Sequence, residues 1–157
     1  MKVSSPSLLR NQTNPYSLRD WLQGDWQLTR ETDDHINDQR YRFAGASQFL
    51  ASQDGLIQHD KGMLSLENGQ AFQAEQRYLW QFSAEQILIK FTDNRLFLTL
   101  SPPFTLCDSQ HLCGQDDYVA RFEFLSNTEW YVRFQVNGPR KNYVMTSHYA
   151  RAAHKLG

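Results

Sequence analysis

The sequence predicts an all-β fold: a single antiparallel up-and-down β-barrel of eight to ten strands with a short N-terminal helix. Three observations carry this. Apolar and aromatic residues recur at every second position over most of the chain from Trp26 to Arg151. Turn dipeptides such as Asp54-Gly55 and Asn68-Gly69 join successive alternating runs at hairpin distance. No helical crossover pattern separates the runs, so neighbours in sequence pair antiparallel. A flat sheet of this size would keep two exposed edges, which closure into a barrel removes. A two-sheet sandwich is the competing arrangement, but it usually needs longer Greek-key links.

Taken in order, residues 1 to about 14 form a polar arm ending at Asn14-Pro15. Ser17 is placed to cap a helical turn whose Leu18, Trp21 and Leu22 share one face, and Gly24 stops it. From Trp26 the period is two. Trp26, Leu28 and Arg30 face one way; after a turn rich in Asp and Asn, Tyr41, Phe43, Gly45, Ser47 and Phe49 do the same. A strand from Leu56 to Leu66 follows, and then one carrying Phe72, Ala74, Gln76, Tyr78, Trp80 and Phe82 on a single face. Ile87 to Phe91 and Leu96 to Leu100 make the next hairpin around Asp93-Asn94. The rhythm breaks at Ser101-Pro102-Pro103 and is expected to resume near Asp117, leaving a long irregular loop over 101–117. Tyr118 to Phe124, Trp130 to Val136 and Tyr143 to Arg151 complete about nine strands, and a helical turn is expected over the tail from Ala152.

The chain of 157 residues is read as one domain, 1–157, with an arm over 1–14 and the barrel over 24–151. Aromatics at 13% suffice for a large core without disulfides, and the two cysteines do not make a disulfide framework. Sixteen basic and seventeen acidic residues, scattered along the chain, give no field that would draw nucleic acid. The first residues lack the apolar run of a secretory signal, and no window is long and apolar enough to span a membrane. A cytoplasmic protein with no nucleic-acid or membrane partner is expected, with homo-oligomerisation left open.

The helical turn, Gly24-x-Trp26 at the head of the first strand and an arginine in the last strand resemble the calycin superfamily of lipocalins and fatty-acid-binding proteins. That resemblance implies a barrel whose bottom is closed by Trp26, with Arg151 (or else Arg140) packed over the indole. Over Gly24 to Arg151 the chain is also similar to a bacterial family of unknown function. The residues that carry this likeness are Gly24-x-Trp26, Phe91-x-Asp93-x-Arg95, His111-x-Cys113-x-x-Asp116-x-Tyr118, Trp130 and Gly138-Pro139-x-Lys141-x-Tyr143. The haem-binding branch of the calycins carries further glycines where this chain has Leu28 and Arg30, which speaks against haem, and no cofactor is expected.

If the alternating faces look inward, the barrel interior brings Arg30, Phe43, Gln76, Tyr78, Trp80, Phe122 and Trp130 around a hollow, with Tyr143 to meet a polar end. An arginine there needs either a protein carboxylate or an anionic ligand. The expected partner is a small hydrophobic or aromatic molecule, with an anionic end among the options. A second candidate is the loop carrying His111, Cys113 and Asp116; its soft ligands fall short of the four that zinc wants, so no metal is assigned. Some calycin-like proteins decarboxylate phenolic acids with tyrosine, arginine and glutamate inside the barrel, and Tyr41, Tyr78, Arg30 and Glu75 supply those residue types without assigning a catalytic residue. Binding is therefore the leading expectation. An enzyme acting on aromatic acids, or an interaction module using the 101–117 loop, are the alternatives.

Overall fold

A computed structural model describes residues 13–151. The arm expected over residues 1–14 lies outside the described residues as far as residue 12, as does the turn expected from Ala152. Among the described residues one helix, α1 (Pro15–Leu22), precedes ten strands: β1 (Gly24–Asp34), β2 (Gln39–Ala51), β3 (Gly55–Leu66), β4 (Ala71–Phe82), β5 (Ile87–Lys90), β6 (Leu96–Leu100), β7 (Leu106–Cys113), β8 (Asp116–Phe124), β9 (Glu129–Asn137) and β10 (Asn142–Arg151). They form a single antiparallel sheet in the order β6-β5-β4-β3-β2-β1-β10-β9-β8-β7, curled into a nearly closed up-and-down barrel.

The first and last strands close most of the circle. β1 pairs with β10 from Trp26↔Arg151 to Asp34↔Tyr143. The gap falls mid-chain, between β6 and β7, where the backbone amide of Thr99 donates to Ser109 Oγ at 3.1 Å in place of a ladder. The connecting segment explains it: Pro102 and Pro103 have no N–H to offer a ladder, and Phe104 turns inward to complete burial.

Two expectations are corrected. The irregular stretch 101–117 is mostly strand: β7 occupies Leu106–Cys113 and pairs with β8 through a turn at Gly114, whose φ is +62°. Inward Cys107, Ser109 and His111 do alternate with outward Asp108 and Gln110, but polar residues on both faces hide the period. The helix begins earlier than Ser17. Asn14 is the cap, its side chain accepting from the Tyr16 amide at 2.9 Å, and Pro15 takes the first helical position, where a missing N–H costs nothing.

The helix plugs one end of the barrel. Leu18, Trp21 and Leu22 are buried against Trp26, whose indole N–H donates to Leu22 O at 2.8 Å. Trp21 donates to Asn127 O in the β8–β9 turn at 3.0 Å. Gly24 permits the sharp passage from helix to strand, with φ at +122°.

The backbones of β2 and β3 approach closely where Gly45 faces Gly62. A Cβ on Gly62 would lie 2.3 Å from the carbonyl oxygen of Ala44. Gly62→Ala therefore forces the two strands apart and is expected to cost about 2 kcal/mol or more, read as a lowered midpoint in urea with unchanged m-value.

Candidate functional site

The interior has three layers. At the plugged end, Trp26 and Trp130 meet edge to face at 6.1 Å, and Phe124 and Phe49 pack around them. The guanidinium of Arg151 lies 3.7 Å from the Trp26 ring centroid and donates to Trp21 O and Gln23 O. A half-buried cation held on an indole face contributes about 1 kcal/mol. Arg140, the other candidate for this place, sits exposed in the β9–β10 turn.

The middle layer is polar. Asp60, on the inward face of β3, is 1% exposed. Its carboxylate accepts from Ser47 Oγ at 2.6 Å, from Gln58 Nε2 at 3.0 Å and from Arg30 Nη2 at 3.4 Å. Arg30 also donates through Nε to Ser147 Oγ at 2.7 Å and lies over the Phe43 ring. Gln58 donates to the Tyr149 hydroxyl at 3.2 Å and accepts from Trp80 Nε1 at 2.8 Å. Tyr149 stacks flat on Trp130, with centroids 3.8 Å apart. The strand register explains how Arg30 reaches Asp60 across β2: Phe43 stands beside Arg30, Ser47 beside Asp60, and Gly45 lies between them. Burial works against the Arg30 charge, but the neighbouring Tyr149 and Asp60 outweigh it and leave its pKa raised. Burial pushes the Tyr78 phenol up to about 12 and that of Tyr149 higher still.

Beside this network lies a cavity of about 50 Å³. Its polar lining is Arg30, Gln58, Tyr78, Ser147 and Tyr149; the rest is apolar, including Phe97, Phe122, Trp130 and Phe134. An aromatic layer lies between it and the open mouth. Phe97 stacks on Phe134 at 5.7 Å and on Tyr78 at 5.9 Å, and touches Phe91 and the edge of His111.

The rim is charged. Lys141 Nζ bonds the Tyr118 hydroxyl at 2.8 Å and Asp116 at 3.3 Å, and these contacts, Tyr118 first, raise its pKa. Gly138 leaves space for Asp116, whose Oδ1 would lie 2.0 Å from any Cβ there. Burial and the adjoining Tyr118 raise the Tyr143 pKa.

Of the residues singled out from sequence, Arg30, Tyr78, Phe122 and Trp130 reach the cavity wall. Phe43 and Trp80 are buried behind it, and Tyr143 is at the rim. Gln76 occupies an inward register position but is exposed near the mouth and bonds Arg77 O. His111 packs among the mouth aromatics, Asp116 turns to Lys141, and Cys113 is exposed at the hairpin end, so the three form no common site. Among the described residues, no group of three or more His, Cys, Asp or Glu stands close enough to hold a metal ion. Glu75 points outward to His59 and Arg77, so the carboxylate inside the barrel is Asp60 instead. The alternation Leu56, Gln58, Asp60 signals this, because it places two polar groups on the apolar face of β3.

The architecture and this interior define a small up-and-down barrel with a polar heart. Residues 22–151 match the model of a family described as "Family of unknown function (DUF6314)", and the chain belongs to that family. No curated protein is similar to it in sequence. Among solved structures, the S-type phycobiliprotein lyase CPES from Guillardia theta is similar over 98% of this chain and 100% of that one, at TM-score 0.66 and 8% identity. A redesigned β-barrel, mFAP1 bound to DFHBI, aligns with 85% of this chain and 97% of its own at TM-score 0.42 and 12% identity. At these identities the lyase supports the fold alone.

Two outcomes test the polar layer. Arg30→Met leaves Asp60 charged and unpaired and is expected to cost about 3–5 kcal/mol, most of it recovered in the double variant Arg30→Met/Asp60→Leu; urea unfolding measures both. In alkali, Tyr78 and Tyr149 hold their protons in the folded state past the pH near 10 at which an unfolded tyrosine ionises. Their stabilisation is complete below pH 10 and is lost as pH rises toward 12. Phenolate absorbance of these two is expected to appear only together with unfolding.

Proposed function

We propose that the protein is a calycin-like binding barrel that holds a small hydrophobic or aromatic molecule in its interior. The observation that carries this is the central cavity, where Arg30, Gln58, Ser147 and the hydroxyls of Tyr78 and Tyr149 share a wall that is otherwise apolar. A fold needing only stability would fill this level with aliphatic side chains, since a buried ion pair rarely outperforms them. The whole chain is taken as one domain. Its two free thiols suit a reducing compartment, and we place it in the cytoplasm of a bacterium.

At about 50 Å³ the cavity holds only a few heavy atoms. A larger ligand enters from the mouth by displacing Phe97, which sits on the five-residue strand beside the unladdered seam. Arg30 and Tyr78 then meet the ligand's polar end, Trp130 and Phe122 its apolar body, and Tyr143 lies along its path. Native mass spectrometry of the gently purified chain is expected to show a bound mass that denaturation removes. Phe97→Ala, at a cost of about 3 kcal/mol in stability, is expected to accept aromatic probes faster than the natural chain. An empty spectrum, together with no probe-dependent shift of the cavity-lining NMR signals in either protein, would remove the reading.

A further inference from the structure

The hydrogen-bond inventory of the cavity wall specifies the ligand further, resting on the binding function proposed above. Asp60, the strongest acceptor in the interior, is occupied by Ser47, Gln58 and Arg30. The amide oxygen of Gln58 is taken by Trp80. Donors remain. Arg30 has five N–H groups and directs one to Ser147 and one to Asp60, with the Tyr149 hydroxyl as a further partner, which still leaves N–H groups over. The Tyr149 hydroxyl accepts from Gln58, and that leaves its own proton to give. Tyr78 contributes a second phenol whose burial keeps it protonated. Trp130 is fully buried, and its indole N–H has no partner among the described residues. Arg30, Tyr78, Trp130 and Tyr149 line one cavity.

A wall whose carboxylate and amide oxygens are already taken, and whose donors are in surplus, is complementary to an acceptor atom; the Tyr78 hydroxyl can give or accept. A buried donor left unmatched, as the Trp130 indole N–H is, costs about 1–3 kcal/mol, so an oxygen placed beside it gains where a hydrocarbon cannot. Charge narrows the choice. Arg30 and Asp60 already neutralise each other at 3.4 Å. A carboxylate brought into this layer would leave an uncompensated negative charge away from water, which is costly. We infer that the barrel selects an uncharged ligand, a flat apolar body bearing a carbonyl-type oxygen that accepts from the Arg30–Tyr149–Trp130 side of the cavity. An anionic head group is disfavoured, although an arginine lies in the wall.

Three near-isosteric probes separate the cases on the unmodified full chain: ethylbenzene, acetophenone and benzoate, titrated at neutral pH with the tryptophan indole N–H signals followed by NMR. Acetophenone is expected to bind roughly tenfold more tightly than either of the others, the increment of one added hydrogen bond, and to shift the Trp130 indole proton. Equal binding of ethylbenzene and acetophenone would overturn the acceptor assignment. Tighter binding of benzoate would overturn the charge argument. Both of those outcomes leave the barrel a binding protein. If none of the three perturbs a cavity-lining signal, this inference is overturned, while the binding function is decided separately by the native mass spectrum and by Phe97→Ala.

Discussion

A buried carboxylate constrains everything around it. Asp60 is almost fully withdrawn from water, and an isolated carboxylate there would cost several kcal/mol or more. Ser47, Gln58 and Arg30 turn to it from β2, β3 and β1, and Arg30 in turn draws in Ser147 of β10. The barrel's longest strands are thereby tied at one level by side chains as well as by their ladders. Gly45 stands in the register between Arg30 and Asp60, and a Cβ there would lie 2.1 Å from the carbonyl oxygen of Lys61 in β3. Trp80 and Tyr149 both bond Gln58, so the polar layer also fixes these two rings.

The two ends of the barrel are built on different principles. At one end α1 lies across the opening, and Arg151 stacks on Trp26 while bonding carbonyls of the helix terminus. Among the described residues no element covers the opposite end; aromatic rings meet there at centroid distances of about 5–6 Å, inside a rim where Lys141 joins Asp116 and Tyr118. Ring contacts of this kind contribute about 0.5–1.5 kcal/mol each beyond burial. Moving one ring therefore costs far less than lifting the helix.

Much of this was legible in the sequence, for a physical reason. Where one face is buried and the other wet, the pleat writes itself as alternation, so Trp26, Leu28 and Arg30 could be assigned to one side before any coordinates. The hairpins at Asp54-Gly55 and Asn68-Gly69 were equally clear. β7 was hidden because polar Ser109 and His111 face inward, so its burial leaves no hydrophobic trace. Asp60 was hidden by the opposite circumstance: a charged residue in a strand reads as solvent-facing unless its partner is known, and Arg30 lies thirty residues earlier in the chain. Asn14 was taken for the end of an arm, although Asn-Pro is also how a helix starts. The outward direction of Glu75 follows from strict period two, once Tyr78 and Trp80 are placed inside.

The position of the seam bears on how the cavity can change. In many up-and-down barrels the weakest join would be expected where the chain ends meet, yet here β1 and β10 share a full ladder, and the interruption falls at β6 and β7. β5 and β6 have only four and five residues, and a register irregularity lies between Ile89 and Lys90. These short strands contribute Ile89, Phe97 and Leu98 to the cavity wall. The part of the wall with the fewest backbone hydrogen bonds thus carries the ring that separates cavity from mouth. The polar network attaches to β1, β2, β3, β4, and β10, and none of its side chains comes from β5 or β6. Displacing Phe97 can therefore widen the interior without disturbing the buried charge pair, which keeps the donors in place while the apolar side adapts.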